Sequence, residues 1–175
     1  DYPRDVLFTI NEKKRYRLKN ITFNGNKSFS ERKLRKELAN TKQKKWWTFW
    51  VKSFSPKTFI EDKEALSVFY QNEGHRDFRV LSDSLIVNED DASLTLQINI
   101  EEGPKYYYRN LIFDGNQIAE EDELKRLLGI QSGDMFSKEQ FDKSVYENMM
   151  STYQDKGYIF SCLLYTSDAA DDCVC

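Results

Sequence analysis

Little in this chain suits covalent chemistry. Its 175 residues include one histidine, and all three cysteines (Cys162, Cys173, Cys175) lie in the last fourteen positions. No metal cluster and no Cys–His nucleophile can be assembled from that supply, so no cofactor, no metal and no enzymatic activity is expected. Neither Gly25 nor Gly115 belongs to a G-x-G-x-x-G or G-x-x-x-x-G-K order, which excludes a phosphate loop. No apolar run approaches the ~18 residues of a membrane-spanning helix, and no charged-then-apolar signal segment opens the chain. Carboxylates are plentiful, but DKE, NEDD and EEDE read as solvated turns and helix starts. The chain begins at Asp1 rather than Met, so it reads as an interior piece of a longer protein.

What is present is a repeat. ITFNGN at 21–26 returns as LIFDGN at 111–116, ninety positions later. At that offset Tyr16 meets Tyr106, Asn26 meets Asn116, Glu31 meets Glu121, Leu34 meets Leu124 and Leu38 meets Leu128. The offset then falls to 83, where YQNEG (70–74) meets YQDKG (153–157). The seven-residue difference is an insertion in the first copy between Leu38 and Phe59, the stretch that contains KQKKWWTFW.

Each copy opens with a strand closed at a turn glycine, Gly25 or Gly115. A helix follows, with capping-box spacing at Ser28 and Glu31 in the first copy and a closing Gly129 in the second. A second helix starts at Ser55-Pro56, or at Ser137 with Gln140. Its apolar face is Phe59, Leu66, Phe69 and Tyr70, or Phe141, Val145, Met149 and Tyr153. Gly74 and Gly157 end these helices. Two strands then follow in the first copy only, over 77–87 and 94–100, with Leu94, Leu96, Ile98 and Ile100 on one side of the second. The predicted fold class is α+β: tandem β-α-α-β-β units, each a three-stranded sheet covered on one face by two helices. Residues 1–13 read as the end of a preceding unit, 14–104 as a complete unit and 105–161 as a truncated β-α-α unit. The tail 162–175 matches neither copy. It resembles translated sequencing-adapter sequence and is read as non-native, so its cysteines indicate neither redox compartment nor metal.

Charge is unevenly spread. Residues 11–57 carry fifteen Lys or Arg against three Glu, whereas 59–104 carry three basic residues against eleven acidic ones. Lys44 and Lys45 beside Trp46, Trp47, Phe49 and Trp50 admit three readings. They suit contact with anionic head groups or a partner lipoprotein, stacking on a single-stranded nucleic acid, or aromatics folded back on the domain with the lysines solvated. The one histidine, His75, follows a helix-ending glycine and reads as a loop or strand-edge side chain.

YRLKNITFNGN with SERKLRKEL, FYQNEGHRDFRV, LTLQINIEEGPKYY and the second YRNLIFDGN with YQDKGYIF together resemble POTRA domains, the repeats of BamA-type outer-membrane protein assembly factors. The resemblance covers about residues 5–161, and the Lys/Trp insertion is similar to a loop of the Bacteroidota members. Lys13 and Lys14 depart from the pattern, standing where the second linker has Gly103-Pro104. The resemblance implies a periplasmic array attached to an outer-membrane β-barrel. Its implied partners are unfolded outer-membrane proteins, assembly lipoproteins, periplasmic chaperones and the inner leaflet of the outer membrane. A sheet of three strands leaves edges, and the strand of Asp77, Phe78, Arg79, Val80, Leu81, Ser82 and Asp83 is expected to be one, open to an extended client. The alternatives are a basic-aromatic module binding single-stranded nucleic acid, which is not the expected partner, and a POTRA module of a two-partner secretion transporter.

Overall fold

A computed structural model describes residues 16–41, 55–158, 163–167 and 170–174. The first copy runs β1 (Arg17–Asn24), α1 (Glu31–Glu37), α2 (Pro56–Asn72), β2 (Arg79–Asn88) and β3 (Ser93–Glu101). The sheet order is β1-β3-β2. Residues 89–92 are the whole connection between β2 and β3, a length that permits only an antiparallel pair. β1 pairs with β3 in parallel, from Arg17 opposite Ser93 to Asn24 opposite Asn99. A parallel pair needs a long crossover, and α1 and α2 supply it. The described residues gather into two compact units. One holds 16–41, 55–63 and 80–100, the other 64–79 and the residues from Glu101 on, so the division falls inside α2.

In the first unit the alternation of β3 decides which face is covered. Leu96, Ile98 and Ile100 are buried, as are Ile21 and Phe23 of β1, Leu34 of α1 with Leu38 just after it, and Phe59 of α2. Fully burying one such side chain stabilises by about 1.5–3 kcal/mol. α1 is capped by Ser30, whose side chain accepts from Lys33 N, and not by the expected Ser28. Arg35 donates to the Ile21 carbonyl at 2.9 Å and ties α1 to β1. Asp62, placed by its DKE context among solvated carboxylates, is 1% exposed. Its two oxygens accept the backbone N–H groups of Asn40 (2.9 Å) and Thr41 (2.6 Å), which fastens the chain leaving α1 to α2. A buried carboxylate held by two main-chain donors is satisfied without a cation.

The second unit contains α3 (Glu121–Leu128), closed by Gly129 in the left-handed region, and a longer helix, α4. α4 begins as Lys138–Lys143 under a Ser137 cap, passes through a π-helical stretch, Ser144–Met150, and ends as Ser151–Asp155. Apolar residues spaced strictly by four drift by about 40° per step around an α-helix. The wider π turn opposes that drift and keeps Phe141, Val145, Met149 and Tyr153 on the core side. The core is Ala119, Leu124, Leu128, Ile130, Val145 and Met149.

The expected opening strand of the second copy does not form. Residues 105–113 contain only an isolated antiparallel bridge between Tyr107 and Met135. In the first copy the matching strand is held along its length by β3. In the second, pairing is confined to the start, where Phe136 N donates to Tyr106 O, Tyr108 N to Asp134 O and Gly133 N to Tyr108 O. Among the described residues no such ladder continues along 109–114, and a strand exists only as one side of a ladder. The region after Gly157, from which no further strands were expected, contains β4 (Leu163–Ser167) and β5 (Ala170–Val174), which pair with each other.

Local geometry repeats where the sequence repeats. The side-chain amide of Asn26 donates to the Phe29 carbonyl and that of Asn116 to the Ala119 carbonyl, each at 3.0 Å. His75 N donates to Tyr70 O and Tyr158 N to Tyr153 O, so the two helix ends share one turn. Gly25, Gly74, Gly115 and Gly157 all carry positive φ. Only in the first copy is the turn glycine also pressed against a strand, since a Cβ on Gly25 would lie 2.1 Å from the Ile100 carbonyl oxygen, whereas one on Gly115 meets nothing within 4 Å. Gly25→Ala is therefore expected to destabilise by about 3 kcal/mol and Gly115→Ala by about 1 kcal/mol, read from urea unfolding midpoints.

Candidate functional site at the sheet edge

The edge strand β2 is built on a polar ladder. The Asn24 side-chain amide donates to Asn99 Oδ1 (2.9 Å), and the Asn99 amide donates to Ser82 Oγ (2.7 Å), crossing all three strands on one face. Residues of opposite parity on β2 therefore point to the helix side, and Asp83 does so, meeting Lys63 of α2 at 2.9 Å. Leu81, Leu85 and Val87 share that side with Asp83. They remain 58%, 41% and 49% exposed, while Leu96 and Ile98 of the neighbouring β3 are 0% exposed. The helices cover the middle of the sheet and stop short of its margin. Among the described residues β2 pairs only with β3, which leaves a row of main-chain N–H and C=O groups facing outward.

The residues leading into β2 are held by a separate knot within the second unit. Phe78 is buried and stacks on Tyr70, with ring centroids 4.1 Å apart and planes 8° from parallel. Tyr70 donates its hydroxyl to Glu102 Oε1 at 2.9 Å, and both side chains are buried. Burial, then the hydrogen bond to Glu102, raises the Tyr70 phenol far above its ordinary range. Burial likewise pushes the Tyr108 phenol up to about 12. His75 lies in the loop after Gly74, one of the two expected places, but its side chain is buried, edge-on to Tyr70, with Nδ1 3.1 Å from the Gly103 carbonyl oxygen. Tyr106 donates its hydroxyl to Asp77 Oδ2 at 2.5 Å and its N–H to the Gly74 carbonyl at 2.9 Å. A Cβ on Gly74 would meet Met135 Cγ at 2.9 Å, so a side chain there would have to displace Met135 as well as adopt a positive φ.

The seven residues expected to form the client edge thus divide. Arg79, Val80, Leu81, Ser82 and Asp83 lie in β2; Asp77 and Phe78 precede it, drawn out of the strand by Tyr106 and Tyr70. Lys44, Lys45, Trp46, Trp47, Phe49 and Trp50 fall outside the described residues. Among the described residues no three His, Cys, Asp or Glu side chains are grouped to hold a metal ion, and no helix is long and apolar enough to cross a membrane. Asp62 and Glu102 were missed as buried anchors. Their neighbours in sequence are charged, and nothing in a run of acidic residues marks which one turns inward.

With this geometry in place, comparison assigns the family. The POTRA profile, described as a surface antigen variable number repeat, matches residues 16–103 and again 106–168. The chain belongs to the POTRA family. It is 30% identical over 160 residues to the outer membrane protein assembly factor BamA of Neisseria meningitidis serogroup B, a match covering 90% of this chain and 20% of that protein. It is 31% identical over 157 residues to a putative outer membrane protein assembly factor of Treponema pallidum, covering 87% of this chain and 18% of the relative. The chain therefore spans about a fifth of the length of these relatives. A crystal structure of Haemophilus influenzae BamA POTRA3-5 superposes with a TM-score of 0.66 at 21% identity, covering 87% of this chain and 59% of that one, and shares the fold.

The knot has a pH signature. An unfolded tyrosine ionises near pH 10, whereas folded Tyr70 holds its proton higher, so the unfolded state loses protons first and stability falls as pH rises above about 10. Tyr70→Phe is expected to lose about 1–3 kcal/mol at neutral pH by removing the bond to a buried carboxylate. It is also expected to flatten the alkaline decline, measured as urea stability at pH about 8 and about 11.

Proposed function

We propose that this chain is a periplasmic module of an outer-membrane β-barrel assembly factor, receiving unfolded outer-membrane proteins by adding a client segment as a strand to β2. The observation that carries the reading is the margin of the sheet: Leu81, Leu85 and Val87 sit on the helix side of an edge strand and are about half exposed. A strand laid beside β2 would satisfy its outward main-chain groups and cover those side chains in one step. Main-chain pairing does not depend on the identity of each client residue, which suits a receptor with many clients. It is binding without chemistry. The relatives named as outer membrane protein assembly factors support the setting, and the work of the module lies at the periplasmic face of that membrane.

Accessory lipoproteins belong to the same proposal as docking partners. So does contact of the Lys/Trp segment with anionic head groups, since tryptophan favours the interface and lysine its charge. Deleting residues 42–54 is expected to weaken flotation with anionic vesicles, and unchanged flotation removes the membrane contact from the reading.

An unfolded outer-membrane peptide is expected to broaden or protect backbone amide NMR signals along 80–88, and shifts confined to the helices count against strand addition. Adjacent residues of a strand point their N–H groups to opposite sides, so proline scanning at Ser84 and Leu85 tests one inward and one outward donor. The outward substitution is expected to lower peptide affinity while the sheet persists.

A further inference from the structure

Resting on that strand-addition reading, we propose that the Lys63–Asp83 ion pair fixes the register of the incoming strand, by demanding a polar side chain at one slot of its otherwise apolar side. The helix side of β2 presents Leu81, Asp83, Leu85 and Val87 in that order. A strand added about 4.8 Å away sets its own alternate side chains beside these four. Three slots lie against aliphatic groups that are about half exposed and gain from being covered.

The second slot differs. Asp83 Oδ1 meets Lys63 Nζ at 2.9 Å, and the two side chains are 36% and 31% exposed, so water still reaches the pair. Lys63 is held from its other side as well, with Nζ 5.1 Å from the centre of the Phe59 ring. A leucine laid over this pair would take away that water and return no hydrogen bond. A serine, threonine or asparagine would replace the water with a donor or acceptor of its own. The side of the client facing the helices should therefore read apolar, polar, apolar, apolar. Alternation already excludes slips of one residue, because they turn every side chain to the wrong face. The ion pair removes slips of two, which alternation leaves open. The ligand class is an amphipathic β segment whose apolar side is broken once by a hydrogen-bonding residue.

The test uses the 175-residue chain and two blocked nine-residue peptides of identical composition. One carries Leu, Leu, Ser, Leu, Leu on its alternate positions and the other Ser, Leu, Leu, Leu, Leu; paired along 79–87, the first puts serine against Asp83 in either strand direction and the second puts leucine there in either direction. Fluorescence anisotropy is expected to show the first binding about tenfold more tightly, with amide protection along 80–88. Lys63→Met with Asp83→Leu is expected to abolish or invert the preference. Asp83→Asn, which keeps a hydrogen-bonding group in place, is expected to retain its direction and guards against a folding defect in the double variant. Equal affinities for the unsubstituted chain, or a preference that survives in the double variant, overturn the register assignment and leave strand addition standing. Failure of both peptides to bind and protect β2 overturns strand addition and this inference with it.

Discussion

A sheet of three strands satisfies the main chain of its middle strand only. β3 donates and accepts on both sides, whereas β1 and β2 each have one ladder and one open row among the described residues. The uncovered aliphatic side chains of β2 and the inward charge of Asp83 both bear on that open row. An inward-pointing charge is a known guard against indiscriminate edge-to-edge pairing. Here it stands at Asp83, neutralised by Lys63, between Leu81 and Leu85. The margin is open to a strand and also guarded against indiscriminate pairing.

Each unit carries its own buried polar anchor. Asp62 holds the Asn40 and Thr41 amides, and Glu102 receives the Tyr70 hydroxyl. Each anchor joins a helix to a connecting segment, where regular hydrogen bonding has stopped and main-chain or side-chain donors would otherwise be buried without acceptors. A carboxylate in that position is a directional fastener: it tolerates burial because its partners are aimed at it.

The two copies separate what a local word determines from what a neighbour determines. Their turn glycines, asparagine bonds and helix ends agree, since each needs only a few adjacent residues. Their opening strands disagree. Arg17–Asn24 is a strand lying on β3, and the equivalent residues near Leu111 and Phe113 are partly buried without forming one. Similar apolar spacing thus has two outcomes, decided by whether a ladder partner lies alongside.

Periodicity and turn residues were enough to reveal the repeat, the element order of the first copy, the core positions Leu34, Leu66, Leu96 and Ile98, and an edge strand after the second helix. These features depend on spacing, and spacing is written in the sequence. The cap at Ser30 in place of Ser28 is a local choice between two serines, made with Lys33 three residues on. The inward turn of Asp62, His75 and Glu102, and the withdrawal of Asp77 and Phe78 from β2, were decided by packing between separate segments. The pairing of Asp83 with Lys63 belongs with them, because it depends on α2 lying beside β2. An acidic residue carries no local mark of its partner; only the packed sheet and helix supply one.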